Sequence, residues 1–307
     1  MRARKQFDVL GLGCAAVDDI LYVDEYPPAD AKVHVRRRER HCGGLTATAL
    51  VAAARLGAKC AFAGTLGFDE DSEFVIETLR RERMNVDHVV RRRDAGPVIS
   101  TIIVDEQRGT RNIFASIEQS RGADPKRPSR AVIESTRVLF VDYFGVEGNL
   151  RAAKVARAAG VAIVSDLERT KLTGMNELIA LIDHPIFSRR AAAELTGTEN
   201  PAKAVVDLWN DARDTVVVTC GEQGAWFVSR DQRQPKHVSA FKVKAIDTTG
   251  CGDVFHGAYA AALAQGMDAE QRIRFASATA ALKATRHGGQ SGIPSRAEVQ
   301  KFLRAAT

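Results

Sequence analysis

Cysteine is scarce in this chain. Five occur, at positions 14, 42, 60, 220 and 251. The number is odd and no two form a Cys-x-x-Cys pair, which argues against a disulfide framework or a structural zinc and for a reducing, cytoplasmic setting. Long apolar runs are also missing. None reaches the ~18 residues that a membrane helix needs, so no membrane partner is expected. The start Met1-Arg2-Ala3-Arg4-Lys5 is basic, but Phe7-Asp8-Val9-Leu10-Gly11 is too short for the apolar region of a signal peptide. No Gly-x-x-x-x-Gly-Lys-Ser/Thr run occurs, which removes a P-loop, and no protein-kinase signature set is present. The seven histidines are dispersed, and no His/Cys/Asp/Glu cluster has the spacing of metal ligands.

What is there suits a soluble globular protein: 307 residues, 45% hydrophobic and 27% charged. The net charge of +6 raises the question of nucleic acid. The arginines cluster in two short runs, Arg36-Arg37-Arg38 and Arg91-Arg92-Arg93. Neither has interleaved aromatics, so no nucleic-acid partner is expected. A solvated basic face or a positive rim that attracts an anionic substrate would explain them.

Alternation of strand and helix patterns begins clearly at Val138 and runs to Thr219. It predicts an α/β fold with a mostly parallel sheet covered by helices. Before it, Thr46 to Leu56 reads as an Ala-rich helix, Asp71 to Arg83 as another, and 98–104 with 110–117 as a hairpin around Asp105-Glu106-Gln107-Arg108-Gly109. Helices are also expected at 149–159, 177–182, 201–211, 253–265, 270–286 and 296–305, and late strands at 225–228 and 237–243. His41-Cys42-Gly43-Gly44 reads as a glycine turn. The whole is one domain over 1–307, with a small β outgrowth from about 14–42 and 86–117. Gly11-Leu12-Gly13-Cys14-Ala15-Ala16 fits the dinucleotide fingerprint, but the β-leaning Val17 to Asp24 follows where a helix is required. The match reads as chance.

The chemistry concentrates at Asp247-Thr248-Thr249-Gly250-Cys251-Gly252-Asp253, which opens the Ala-rich helix. Glycines let the backbone approach a ligand closely, and the first amides of a helix bind anions. A carboxylate there would repel a resting phosphate. It makes sense as a base, with the amides holding a phosphoryl group in transfer. Cys251 reads as the small residue of a tight turn rather than a nucleophile. His256, one turn on, reads equally as a ligand contact or a structural histidine. Thr219-Cys220-Gly221-Glu222-Gln223-Gly224 follows a β-branched strand and, beside the first stretch, becomes a nucleotide contact.

These residues resemble the ribokinase-like sugar kinases, also called the phosphofructokinase-B family. Residues 247–253 resemble its C-terminal signature. Gly43-Gly44 with the following helix resembles its N-terminal one, and Phe62 to Asp69 the strand-turn between. The resemblance covers essentially the whole chain. It implies a three-layer α/β/α core with a small β-sheet lid, and a homodimer through that lid. It implies ATP and Mg2+, with K+ in some members. Asp253 would be the base, and the amides of Gly250, Cys251, Gly252 and Asp253 the anion hole. Asp18, Gly43, Gly44 and Thr48 would meet the sugar. Thr219, Gly221, Gly224 and Ser277 would line the ATP site. Asp247 and Thr249, with carbonyls around Arg286, Gly288 and Gly292, would match the monovalent-cation site.

The chain departs from the pattern in places. The usual Asn-x-x-Glu is Ser188-Arg189-Arg190-Ala191, which leaves magnesium to ATP, water and Asp247. The family's Asn residues stand as Thr48 and Ala16 here, which speaks against ribose. The closest branch in look is that of ketohexokinase and sulfofructose kinase. Lys32 matches the sulfonate-binding lysine of the latter, but Ala115 and Phe144 stand where its Asn and Arg would. A neutral ketose is the expected acceptor. A nucleoside or sugar phosphate on the same fold, and a catalytically silent sugar-binding regulator, are the alternatives.

Overall fold

The computed structural model describes residues 5–108 and 110–306. Met1 to Arg4, and Gly109 of the expected hairpin turn, lie outside the described residues. In chain order the elements are β1 (Phe7–Leu12), β2 (Ala16–Val23), β3 (Arg37–Gly43), α1 (Leu45–Arg55), β4 (Cys60–Phe62), β5 (Thr65–Leu66) and α2 (Glu70–Arg81). Then come β6 (Val90–Arg91), β7 (Val98–Asp105), β8 (Thr110–Ser116), α3 (Arg130–Glu134), β9 (Thr136–Asp142), α4 (Val146–Ala158), β10 (Ala162–Asp166) and α5 (Met175–Leu181). The chain continues with β11 (His184–Ser188), α6 (Arg189–Thr196), α7 (Pro201–Asp207), β12 (Thr215–Thr219), β13 (Ala225–Ser229) and β14 (Lys236–Val238). It closes with α8 (Cys251–Ala264), α9 (Ala269–Ala284) and α10 (Arg296–Ala305).

Eight strands form the main sheet in the order β14-β13-β12-β11-β10-β9-β1-β4. All neighbours from β4 to β12 are parallel, and β13 and β14 add antiparallel. Strands buried on both faces need apolar residues on both, and the alternation sorts them. Val9, Val138, Phe140, Val164, Ile186 and Val217 pack with the buried faces of α1, α8 and α9. Leu10, Leu12, Leu139, Val141, Ile163 and Val218 pack with α4, α5, α6 and α7.

The alanines of α8 have a specific reason. A Cβ on Gly257 would lie 1.9 Å from the Ala49 carbonyl oxygen, so α8 and α1 approach backbone to backbone. Gly11 serves the same side. Its Cβ would meet Leu50 Cδ1 at 2.6 Å and Thr46 Cγ2 at 2.8 Å. This glycine makes room for α1, not for a dinucleotide.

A second sheet, β3-β2-β7-β8, stands apart from the first. Its centre is the parallel pair β2–β7, with Asp18 opposite Ser100, and the antiparallel β2–β3 pair, with Asp18 opposite His41. Several expected boundaries differ. His41 to Gly43 is not a turn but the end of β3, paired with Ala16 to Asp18. The helix from Pro201 stops at Asp207 because Asn210 turns the chain, its side-chain oxygen accepting from the Ala212 amide at 3.0 Å. The late strand stops at Val238, and Phe241 packs instead on Phe302, ring centroids 5.2 Å apart. The five-residue α3 is too short to show a period in the sequence.

Candidate active site

The carboxyl edge of the parallel strands is where the site residues gather, because four of the six end on one. β9 ends at Asp142, β10 at Asp166, β11 at Ser188 and β12 at Thr219. The register sets Asp142 beside Asp166, and Ser188 beside Thr219. The start of α8 supplies Asp253.

Gly250 caps α8 in the left-handed conformation, φ 72°, and no side chain caps the helix. The amides of Gly250, Gly252 and Asp253 meet no acceptor among the described residues. The Cys251 amide does: it donates to the Thr248 carbonyl at 3.2 Å. Of the four amides expected to form an anion hole, three have no acceptor and the fourth makes a turn bond. The site of a Gly250 Cβ lies 3.5 Å from Thr48, 3.6 Å from Gly289 and 3.7 Å from Asp253 Oδ2, so the carboxylate points back over the turn, toward α1.

Burial raises the Asp253 carboxyl well above the ordinary carboxylate range, and Asp166, Glu168, Asp18 and Asp142 push it further. Like charges close together disfavour ionisation. A base poised well above the usual carboxylate value is what proton abstraction from a hydroxyl asks for.

Asp18 stands over the first glycine of the pair: a Cβ on Gly43 would meet its Oδ2 at 2.3 Å. Burial raises this carboxyl too, opposed by a hydrogen bond from Ser100 and the nearby His41. Gly44 begins α1 with φ 92°, and a Cβ there would strike the Ala15 backbone at 2.6 Å. Thr48 on α1 accepts from Gln290 Nε2 at 3.2 Å. Asp18, Gly43, Gly44 and Thr48 thus share one end of the site with Asp253. Lys32 does not join them. It is exposed on the irregular segment between β2 and β3, and no hydrogen bond ties it to the site among the described residues.

Thr219 to Gly224 is the turn of the β12–β13 hairpin, with Thr219 paired to Ala225. Gly221 and Gly224 have φ of 58° and 91°. Nothing lies within 4 Å of a Cβ on Gly221, so the turn is open to a ligand. Ser277 is half-buried on α9, one turn before Ala280, whose carbonyl takes the Cys251 thiol at 3.6 Å. That thiol is raised by burial, the opposite of what its helix-start position suggests, which removes it as a nucleophile.

Asp247 holds the loop together. Its Oδ1 accepts from the Thr249 amide and its Oδ2 from the Gly288 amide, both at 2.8 Å. Burial pushes this carboxyl up, but those bonds and the Lys283 ammonium bring it below its usual value.

His256 resolves as structural. It is buried, with Nδ1 2.7 Å from the Gly252 carbonyl and 3.3 Å from Asp166 Oδ2, and Nε2 3.3 Å from the Ile186 carbonyl. It clamps the first turn of α8 to β10 and β11. Ser188 explains part of the missing Asn-x-x-Glu: it caps α6, accepting from the Ala191 amide at 3.2 Å. The arginine runs are largely spent on neighbours. Arg36 pairs with Asp24, Arg37 with Glu39, Arg38 with Asp19, Arg91 with Glu73 and Arg92 with Asp94. The expected positive rim is mostly neutralised.

Three participants gave no signal in the sequence. Asp142 is fully buried, accepting from the Cys14 amide and the Thr46 hydroxyl at 2.8 Å and the Phe144 amide at 2.7 Å. A Cβ on Gly13 would sit 2.1 Å from its Oδ2, which explains that glycine. Lys283 is buried beneath the loop. Arg111, on β8, has no ion pair among the described residues, and its charge reaches both Cys251 and Lys283. Isolated acidic and basic residues in elements far apart in sequence carry no motif.

The pattern described as pfkB family carbohydrate kinase matches residues 7–296. The chain belongs to the pfkB family of carbohydrate kinases. It is 30% identical to a ribokinase of Haemophilus influenzae over 302 residues, covering 96% of this chain and 98% of that one. Fructokinase-1 of Oryza sativa subsp. japonica is 27% identical over 290 residues, covering 86% and 88%. Among solved structures, a ribokinase from Thermotoga maritima is similar at a TM-score of 0.83 and 26% identity, covering 97% of this kinase and 99% of that chain. The ribokinase-like fold and phosphoryl transfer to an alcohol group follow. No helix among the described residues is long and apolar enough to cross a membrane.

Proposed function

We propose that this kinase transfers the γ-phosphoryl group of ATP to a primary hydroxyl of a small neutral sugar, with a ketose as acceptor. The observation that carries the reading is Asp253 in the first turn of α8, beside three amides without acceptors and facing the end of the site that holds Asp18 and Gly43.

In this reading Asp18, with the backbone at Gly43 and Gly44, holds sugar hydroxyls. Asp253 takes the proton from the hydroxyl that reacts. The freed oxygen bonds to the γ-phosphorus as the bond to the ADP oxygen breaks, and ADP leaves. The amides of Gly250, Gly252 and Asp253 and the α8 dipole hold the charge on the equatorial oxygens. Arg111 approaches from the small sheet, which acts as a lid. The Thr219–Gly224 turn and Ser277 flank the nucleotide.

Among the described residues no group of three or more His, Cys, Asp or Glu is arranged to hold a metal. Magnesium arriving on the nucleotide keeps several waters and needs only one or two carboxylates. Asp166 and Glu168, close enough to raise Asp253, are the carboxylates in reach. Asp247 is not, with both its oxygens already taken. Bound there, magnesium would neutralise charge on the phosphates.

Neutrality of the acceptor rests on two positions. Ala115 is opposite Ser100, itself opposite Asp18, and Phe144 packs with Ala16 and Val98. Neither holds an anion. Every residue of β8 is exposed, with Ile113 and Phe114 each at 53%. That face supports a homodimer formed lid to lid, measurable by light scattering. Five free cysteines suit a cytoplasmic protein.

The test is an ADP-release screen over ketoses, aldoses, sugar phosphates and nucleosides. A neutral ketose with the highest kcat/KM sustains the reading. A preference for a nucleoside or sugar phosphate overturns the acceptor, and sugar binding without turnover overturns catalysis.

A further inference from the structure

The loop bearing the anion site is bound to α9 through a buried ammonium. Lys283 lies in the last turn of α9, and its side chain is 0% exposed. Its Nζ donates to the Asp247 carbonyl at 2.9 Å and stands 3.8 Å from Asp247 Oδ2. The Ile246 and Asp247 amides donate to the Ala284 carbonyl, at 2.7 and 3.1 Å, on the same helix end. With Thr249 and Gly288 on the two carboxylate oxygens, every oxygen of Asp247 already has a donor. The Gly288 carbonyl is also taken, by the Gly292 amide at 3.3 Å.

Asp247 and Gly288 are two of the five positions expected to surround a monovalent cation, and Asp247 is the one that would supply its negative charge. They do not fit one here. A second positive charge would displace amide donors and sit against a buried ammonium, where repulsion is poorly screened. We propose that the Lys283 ammonium takes the place of that cation, so that this kinase carries its positive charge on its own chain and turns over without K+. An ammonium and K+ are similar in charge and size. Lys283 does what a bound ion would do: it offsets Asp247 and pins residues 246–249 to the C-terminal end of α9, where a cation is also favoured by the helix dipole. Held this way, the turn leaves the Gly250, Gly252 and Asp253 amides facing outward. Lys283 is thus a positioning residue. The inference rests on the kinase reading only for its rate measurement.

Rates are measured in N-methylglucamine buffer at constant ionic strength while K+ is titrated in. The wild-type rate is expected to stay flat. Lys283→Ala is expected to lose on the order of tenfold to a hundredfold, as a mis-set anion hole would, and to regain part of that loss with K+ or methylammonium. Independently of turnover, thallium(I) NMR on the nucleotide-free protein is expected to show no specific site in wild type and one in Lys283→Ala. A wild-type rate that climbs several-fold with K+, or specific thallium binding to wild type, overturns the proposal. So does a folded Lys283→Ala that is nearly as fast as wild type and blind to K+. If that variant does not fold, the two wild-type measurements decide. If nothing tested accepts phosphate, the kinase reading fails, while thallium binding still decides the lysine.

Discussion

The start of α8 and the four-stranded sheet meet at the same site and are built in opposite ways. Around α8, polar groups are buried and tied several times over. His256 clamps one side, Asp247 and Lys283 the other, and Gly257 lets α1 close from behind. The small sheet holds its charges in exposed pairs such as Arg36–Asp24 and Arg37–Glu39. Such pairs contribute at most about 1 kcal/mol each. Its outer strand β8 is exposed throughout. The difference teaches a division of labour. On the proposed reading, the fixed part holds geometry for the phosphoryl group, where a small displacement is costly. On the same reading, the more exposed sheet covers the acceptor and is where recognition can vary.

Four substitutions test that division. On the fixed side, Asp253→Asn removes the base and should lower kcat by about 10²–10⁴-fold with the fold intact. Steady-state kinetics with a circular-dichroism melt checks it, and a loss under about tenfold would remove Asp253 from the role. On the acceptor side, Asp18→Ala should mainly raise the sugar KM, by about ten- to a hundredfold, as loss of a charged hydrogen bond does. An equal fall in kcat with unchanged KM would erase the contrast between the two regions.

Asp142 joins them, since it holds the β1–β2 corner that leads to Asp18. Its carboxyl is raised from 3.8 to about 6 by burial. A raised folded value means that its contribution to stability is complete below the unfolded value and is lost as pH rises through about 6. The loss is roughly 3 kcal/mol. In Asp142→Asn this slope between pH 4 and 6 should vanish from denaturant-derived stability, and a slope unchanged from wild type would contradict it. The smallest effect is electrostatic. Glu168 raises Asp253, so at saturating magnesium, which offsets the loss of a carboxylate in reach of that ion, Glu168→Gln should move the acid limb of kcat/KM to lower pH. A limb that stays in place or rises would mean that another group sets it.

The legible part of the site was the part made of neighbours in sequence. Residues 247–253 and the Gly43-Gly44 turn carry their chemistry in consecutive residues, so glycine spacing and a following helix exposed them. The arginine runs were legible too, but misleading. Arg36 to Arg38 looked available until β2 and β3 brought Asp24, Asp19 and Glu39 alongside. Lys283 looked like one more lysine on a helix until the loop at 247 folded over it. Gly11 and Gly13 read as a chance fingerprint; their reasons are Leu50 and Asp142, 39 and 129 residues away.

By itself, the sequence determined the alternation of strand and helix, the glycine turn at 250–252 that opens a helix, and the carboxylate that follows it. Those depend on hydrophobic period, backbone freedom and local dipoles, which act over a few residues. Only the tertiary structure decided the ionisation of Asp253 and the pairing of the arginines. It also decided that Cys251 is a half-buried thiol turned to the Ala280 carbonyl and that a lysine stands where a cation was expected. Burial and Coulomb interaction depend on distance in space, and here that distance is closed by strands and helices remote from one another in the chain.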